Sequence, residues 1–292
     1  MLYVLDGSGF LFRAYYSLPP IKDKSGYDAG AIFGFYRMIL KLLQEKPEKF
    51  IIVFDPGKKT KRMETFKEYK ANRPEIDDSF KRQIPQIIEI AKQSGFDVEV
   101  IPEYEADDVI ASLVKNYKWE SVVVSSDKDL KQLIDDKTKF LEPKSMELID
   151  KKKFIEDYGF EPEWMVLYLA LLWDSSDNIP WVKWIWKKTA SKIVSEFPTY
   201  DDLIENLDKL PEKIVVKLND NKEQLKQNIE LVSLMYPDVI SNEEIEKKAD
   251  IKNIDFDKLK NILVDEYWFT SFTKLIDKTK KDIKEPTQLS LF

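Results

Sequence analysis

The chain has 292 residues, 43% of them hydrophobic, enough to bury a sizeable core in one large domain or two. Its 46 basic and 53 acidic side chains leave a formal net charge of −7, so no overall charge draws it to nucleic acid and only the placement of charge can argue for that. Cysteine and histidine are both absent, which excludes disulfides, thiolate or imidazole metal sites, cysteine nucleophiles and Ser-His-Asp catalysis.

The opening MLYVLDGSG reads as a short strand over 2–5, with none of the basic and long apolar character of a signal peptide. Apolar runs are too short to span a membrane, so a soluble, cytoplasmic monomer is expected. A helical pattern covers 31–44, followed by the strand FIIVF (50–54). Phe80, Ile84, Ile87, Ile88 and Ala91 share one face of a helix over 80–94, with Gly95 as its stop. Then come DVEVI (97–101), a helix over 106–117 and SVVVS (121–125). Strands alternating with helices predict a parallel α/β sheet. From about residue 153 short helices dominate, ending near Lys278, and KTKKDIKEPT leads as a flexible linker to a final QLSLF.

Carboxylates follow the strands. Asp6 follows the first and Asp55 the second; Glu105, Asp107 and Asp108 open the helix after the third, and Asp127 and Asp129 follow the fourth. Asp174 and Asp177 lie in a turn-rich stretch further on. Ligands of open parallel sheets bind at the carboxyl ends of strands, so the first seven acids should meet in one crevice. Like charges 4 Å apart repel by about 4 kcal/mol at an effective dielectric of 20, so such a cluster calls for cations. All-oxygen ligands select hard ions such as Mg²⁺, with Mn²⁺ as a substitute. Each acid alone would pass for a helix cap or a solvated turn residue; their serial placement at strand ends is the signal. Setting the nine aside leaves a mildly basic remainder, with clusters at Lys58–Arg62, Lys67–Arg73 and Lys183–Lys188.

Six ordered motifs, VLDGSGFLFRAYY, VFDPGKKTKR, EYKANRP, YEADDVIA, VVSSDKDLKQLI and LLWDSSDNIP, resemble the flap endonuclease and 5′-3′ exonuclease family. The likeness is to the 5′ nuclease domain of bacterial DNA polymerase I and to stand-alone bacterial 5′-3′ exonucleases, and it runs from Leu2 to about Ile276. It implies a PIN-like α/β nuclease domain over 1–152, with a helical arch at about 58–90. A helical domain over 153–278 would follow, with a helix–three-turn–helix DNA-binding motif, and a tail over 279–292. The implied activity is structure-specific cleavage of branched or 5′-flap DNA with two Mg²⁺ ions. By position, Asp6, Asp55, Glu105 and Asp107 resemble ligands of the first ion and Asp174 and Asp177 ligands of the second. Asp127 and Asp129 fall between them, and Asp108 is a direct or indirect ligand. Lys70 and Arg73 match residues that contact the scissile phosphate, Tyr69 is placed to stack on a terminal base, and Arg62 is assigned to DNA. The family usually has Thr-Phe-Arg where this chain has Thr60-Lys61-Arg62. QLSLF resembles the sliding-clamp peptide of bacterial replication proteins, with Gln288, Leu289, Leu291 and Phe292 as its contacts. A non-catalytic DNA- or clamp-binding relative, a nuclease domain excised from a polymerase, and a PIN-type ribonuclease are the competing readings.

Four of seven tryptophans crowd into 173–186, and all eight glycines lie at or before Gly159. The family pattern has turn glycines where this chain has Trp173, Trp181, Trp184 and Trp186, and Trp119 and Trp268 also fall where turn glycines are expected. In the family that glycine turn brings backbone N–H groups against duplex phosphates, and its carbonyls often hold K⁺. The resemblance thus assigns DNA contact to Trp181, Lys183, Trp184, Trp186, Lys187 and Lys188. Three readings of the tryptophans compete: stacking indoles adapted to single strands, deliberate disruption of the turn, or a UGA codon read as glycine and written as tryptophan.

Overall fold

The structure is a computed structural model that describes residues 1–284 apart from 59, 67, 73, 74, 173–177, 179–184 and 239. Asp174, Asp177, Arg73, Trp181, Lys183, Trp184 and the QLSLF peptide therefore lie outside the described residues. The first half runs β1 (Leu2–Asp6), α1 (Gly7–Ser17), α2 (Gly30–Leu43), β2 (Lys49–Val53), α3 (Lys61–Thr65), α4 (Asp78–Gln93), β3 (Asp97–Glu99), α5 (Ala106–Asn116), β4 (Ser121–Val124), β5 (Thr138–Glu142) and β6 (Glu147–Ile149). The second half is helical: α6 (Lys151–Tyr158), α7 (Met165–Leu171), α8 (Lys187–Glu196), α9 (Tyr200–Glu205), α10 (Glu212–Asp220), α11 (Lys222–Val232), α12 (Asn242–Lys248), α13 (Phe256–Lys260) and α14 (Phe272–Lys284).

The strands form one sheet in the order β3-β2-β1-β4-β5-β6, parallel except for the final β5–β6 pair. The order reverses beside β1, and that switch point opens a crevice at the carboxyl ends of β1 and β4. The four strands expected from sequence are present, and β5 and β6 join them. Their stretch (TKFLEPKSMELI) is rich in Lys and Glu, so its pairing comes from the open edge of β4 rather than from its own β-propensity. Helix α1 carries two glycines and so has weak intrinsic propensity; the Asp6 cap, bonded to Gly9 N, and burial of Phe10, Leu11 and Ala14 offset that.

Both sheet faces are covered, and the period-2 alternation of the strands separates two cores. Leu2, Val4, Ile51, Val53 and Val123 face α5 and the helices up to Ala249. Tyr3, Leu5, Phe50, Ile52 and Val124 face α1, α2, α4 and the chain from Ile251 to Ile276. The chain changes face at the antiparallel bridge between Lys49 and Asp250, where Phe50 N donates to Ala249 O at 2.8 Å. This corrects the expected helical unit over 153–278: residues beyond Ile251 belong to the core of the first half. The physical reason is that Phe256, Leu259, Ile262, Phe269 and Phe272 need apolar partners, which α2 and α4 supply.

The expected arch also narrows. From Asp78 onward the stretch is α4, with Phe80 and Ile87 fully buried, because its apolar face packs on the body. Among the described residues, 58–77 holds only the five-residue α3. Gly95 ends α4's turn as expected, at φ +77 and with a built Cβ only 2.2 Å from Asn253 O, so no other residue fits.

Trp164 packs against the core, whereas Trp119, Trp186 and Trp268 are 64%, 61% and 62% exposed. Trp268 sits at φ +63, the left-handed region that favours glycine, with Lys24 Nζ 5.6 Å from its ring. The resemblance placed a turn glycine there, and the backbone has the conformation of one. Trp268→Gly should stabilise the protein by about 1 kcal/mol, raising Tm by about 2 °C; a lower Tm in thermal unfolding would show that the indole's contacts outweigh the strain.

Candidate active site

Strand register brings the acids together. Asp6 is level with Val53 of β2, two residues before Asp55, and Leu5 pairs with Val124 just ahead of Ser125 and Asp127. Asp6 is 5% exposed; its Oδ1 accepts from Gly9 N at 2.8 Å and its Oδ2 from Ser125 Oγ at 2.7 Å. A Cβ on Gly9 would lie 2.3 Å from Asp6 Oδ2, so the glycine is what lets the carboxylate cap α1. Asp55 Oδ1 accepts from Ala106 N at 2.9 Å, tying the end of β2 to the start of α5. Asp127 Oδ1 accepts from Asp129 N at 2.9 Å, starting a 3-10 turn over Lys128–Leu133.

These charges act on one another. Burial pushes the Asp6 carboxyl up to about 6, against its two hydrogen bonds, and the charges of Asp55 and Asp127 add to the rise. Burial and then the charges of Asp127 and Asp6 raise Asp107 well above the usual carboxylate range, with Lys70 partly opposing. Among the described residues no three acids stand close enough to hold one ion as placed. The donors that share the cleft are nevertheless all carboxylate oxygens, and neutralising them suits a hard divalent cation. The sign of the pH dependence follows. Asp6 keeps its proton in the fold to about pH 6 rather than 3.8, so its contribution to stability in chelator is lost as pH rises through about 6. Cation affinity should climb over that same interval, and Mn²⁺ binding followed by electron paramagnetic resonance should weaken below about pH 6. Affinity that is flat from pH 5 to 7, a span chosen about the Asp6 value, would remove Asp6 from the ligand set.

Three expected roles change. Asp108 is fully buried, and both its oxygens are taken by Arg62: Nη2 to Oδ1 at 2.7 Å and Nη1 to Oδ2 at 3.1 Å, with Met235 N also donating to Oδ1. It is the counter-ion of a buried cation and does not face the cleft as a ligand. Arg62, 4% exposed, is correspondingly withdrawn from DNA. Tyr69 is 7% exposed with its hydroxyl donating to Glu105 Oε2 at 3.2 Å, so its ring packs in the core instead of offering a stacking face. Glu105, 3% exposed, meets Arg62 Nη1 at 2.8 Å and Lys70 Nζ at 3.0 Å. Burial pushes its carboxyl up, but Lys70 and Arg62 outweigh that and hold it below the usual range.

A cavity of about 420 Å³ lies beside these groups, its lining including Asp55, Lys70 and Glu105 together with Phe12, Ile76 and Phe80. Lys70 adopts φ +57, a left-handed turn within the 58–77 segment. Ser125, Thr60 and Arg13 were missed from sequence. Ser125 is fully buried and bonds Asp6, and Thr60 Oγ1 is 3.3 Å from Glu105 Oε1. Arg13 Nη1 reaches Ser126 Oγ at 3.3 Å, and the only sequence signal for it is its place two helical turns beyond Asp6. Trp186, Lys187 and Lys188 are exposed at the start of α8. No helix among the described residues is long and apolar enough to cross a membrane.

Residues 1–159 match the family described as 5′-3′ exonuclease, N-terminal resolvase-like domain, and residues 160–257 match its C-terminal SAM fold. The chain is similar to the 5′-3′ exonuclease of Aquifex aeolicus, 36% identical over 295 residues covering 100% of this chain and 99% of the relative. It is also similar to DNA polymerase I of Bacillus subtilis, 35% identical over 243 residues but covering only 28% of that longer protein. Among solved structures, T5 5′-exonuclease with bound divalent zinc superposes with a TM-score of 0.68 at 24% identity, over 97% of both chains, which shows a shared fold. With strand-end carboxylates in one crevice and both domains matched, the chain belongs to the 5′-3′ exonuclease family.

Proposed function

We propose that the protein is a 5′-flap endonuclease and 5′-3′ exonuclease that hydrolyses branched DNA with two Mg²⁺ ions, for which Mn²⁺ can substitute. The observation that carries this is the mutual charge of Asp6, Asp55, Asp107 and Asp127 in one cleft beside Lys70. Asp6, Asp55, Glu105 and Asp107 would hold the first ion and Asp174 and Asp177 the second, with Asp127 and Asp129 between them. Two such ions would supply an activated water and charge stabilisation at the leaving 3′-oxygen, consistent with a 5′-phosphate product. The chain's own part is positional. Ser125 and Gly9 N fix Asp6, Ala106 N fixes Asp55, and Lys70 adds positive charge where the phosphate would lie. Trp186, Lys187 and Lys188 would extend the DNA surface at the start of α8, and the stretch before them, outside the described residues, is where the family resemblance would place K⁺. The test is cleavage of a labelled 5′-flap duplex: cutting near the branch point with Mg²⁺ and none in chelator supports the reading, and an inert protein in Mg²⁺ overturns it.

The clamp is the second proposed partner, through Gln288, Leu289, Leu291 and Phe292. Leu289, Leu291 and Phe292 would fill apolar pockets on a sliding clamp, with Gln288 hydrogen-bonding at the rim. Helix α14 runs on to Lys284 where a flexible linker from Lys278 was expected, so the residues after Lys284 would tether the enzyme and raise its local concentration on DNA. Deleting Gln288 to Phe292 should abolish clamp pull-down and leave clamp-free flap cleavage unchanged; clamp capture that survives the deletion would refute the assignment.

A further inference from the structure

Arg62 sits where three parts of the chain meet. It belongs to α3, in the segment over 58–77 that borders the cleft. Its Nη1 donates to Glu105 Oε2 at 2.8 Å and to Asp108 Oδ2 at 3.1 Å, both at the start of α5. Its Nη2 donates to Asp108 Oδ1 at 2.7 Å and to Ser233 O at 2.8 Å, in the turn that leaves α11. Met235 N closes the same turn onto Asp108 Oδ1 at 2.8 Å. All three charged side chains are buried, at 4% exposure or less. The contacted residues lie 43, 46 and 171 positions away in the chain.

We propose that Arg62 is a positioning residue for the nuclease reaction: it latches the base of the 58–77 segment to α5 and to the 233–235 turn, and so fixes Glu105 beside the metal cleft. The proposal rests on the reading of that cleft as the site of hydrolysis. A guanidinium suits the task because its planar fork reaches acceptors in several directions at once, whereas an ammonium group concentrates its donors at one point. Asp108 holds the fork in register, since each of its oxygens takes a different nitrogen. The coupling has a direct consequence for function. Lys70 follows eight residues after Arg62 in the same segment, and its Nζ meets Glu105 at 3.0 Å, so one latch sets the position of both the cation and the carboxylate. Asn178, whose Nδ2 donates to Glu68 O at 2.8 Å and whose Oδ1 accepts from Asn72 Nδ2 at 2.7 Å, holds the far end of the segment to the second half.

The test compares Arg62→Lys, Asp108→Asn and the double variant in the full chain. Arg62→Lys is chosen because it keeps a cation against Asp108. The single-turnover flap cleavage rate should fall about 10- to 100-fold in each single variant, with flap affinity within about three-fold of the parent. Proteolytic nicking between residues 58 and 77 should rise about ten-fold. Mn²⁺ affinity of Asp108→Asn, measured without DNA, should stay within about three-fold of the parent, and the double variant should be no slower than its slower single parent, because both act through one contact. Unchanged nicking with an unchanged rate overturns the latch, and lost flap affinity at a normal rate makes Arg62 a DNA contact instead. Loss of Mn²⁺ binding in Asp108→Asn makes that residue a ligand and also overturns it. If one single variant does not unfold cooperatively on heating, the other decides. The nicking readout is independent of catalysis, so a failure of the hydrolysis reading, seen as full cleavage by Asp55→Asn, remains distinguishable from failure of the latch.

Discussion

Asp55→Asn and Asp127→Asn should each lower flap cleavage by on the order of 10³-fold while leaving flap affinity within a few-fold. Each substitution removes one negative charge and one oxygen donor from a cleft in which buried Asp6 and half-buried Asp107 are raised by these same two charges. Neither residue is buried, so the fold should tolerate the change. Asparagine can still accept from Ala106 N at position 55 and from Asp129 N at position 127, which keeps the start of α5 and of the 3-10 turn in place. Structure is thereby separated from charge, and what is lost is cation binding. Single-turnover cleavage in Mg²⁺ together with flap binding in Ca²⁺ makes the measurement. A near-parental rate in either variant would exclude that residue as a ligand, and a parallel loss of flap binding would place it on the DNA surface.

The second large effect is expected at Lys70. Lys70→Ala should slow the chemical step about 10²-fold at saturating substrate, as loss of one preorganised cation does. Lys70 lines the cavity beside Asp55 and Glu105, and of the two cations near Glu105 it does more to hold that carboxyl low. Removing it should let burial raise Glu105, so the acid limb of the pH–rate profile should shift to higher pH. Stability should fall as well. A carboxyl held low favours the fold above its unfolded value, and that support is lost as the Glu105 pKa rises. Arg73→Ala should behave like Lys70→Ala in rate, by its place in the same motif. A change confined to substrate affinity would assign either residue to ground-state binding.

What was legible in the sequence rests on local rules. Strand runs such as LYVL and SVVV mark themselves by β-branched and aromatic composition, and an acid immediately after a parallel strand is at the sheet's carboxyl edge whatever the rest of the chain does. Asp6, Asp55, Asp107 and Asp127 could therefore be named before any packing was known. The roles of Arg62, Tyr69 and Asp108 could not. A basic residue inside Lys58–Arg62 reads as a solvated or DNA-facing charge, and an acid in YEADD reads as one more ligand. Their pairing spans 46 residues, and only packing of α3 on α5 removes both from water and makes each the other's partner.

The sequence by itself determined the alternation of strands and helices, the acids at the strand ends and the stop at Gly95, because each depends on a residue and its near neighbours. Tertiary structure alone decided that β5 and β6 extend the sheet, that residues beyond Ile251 return to the far face of the first half, and that Glu105 is shared between two cations. Those outcomes depend on which apolar and charged surfaces are left without partners once the first elements have packed. Surface burial and charge pairing act through space, and chain spacing does not record them.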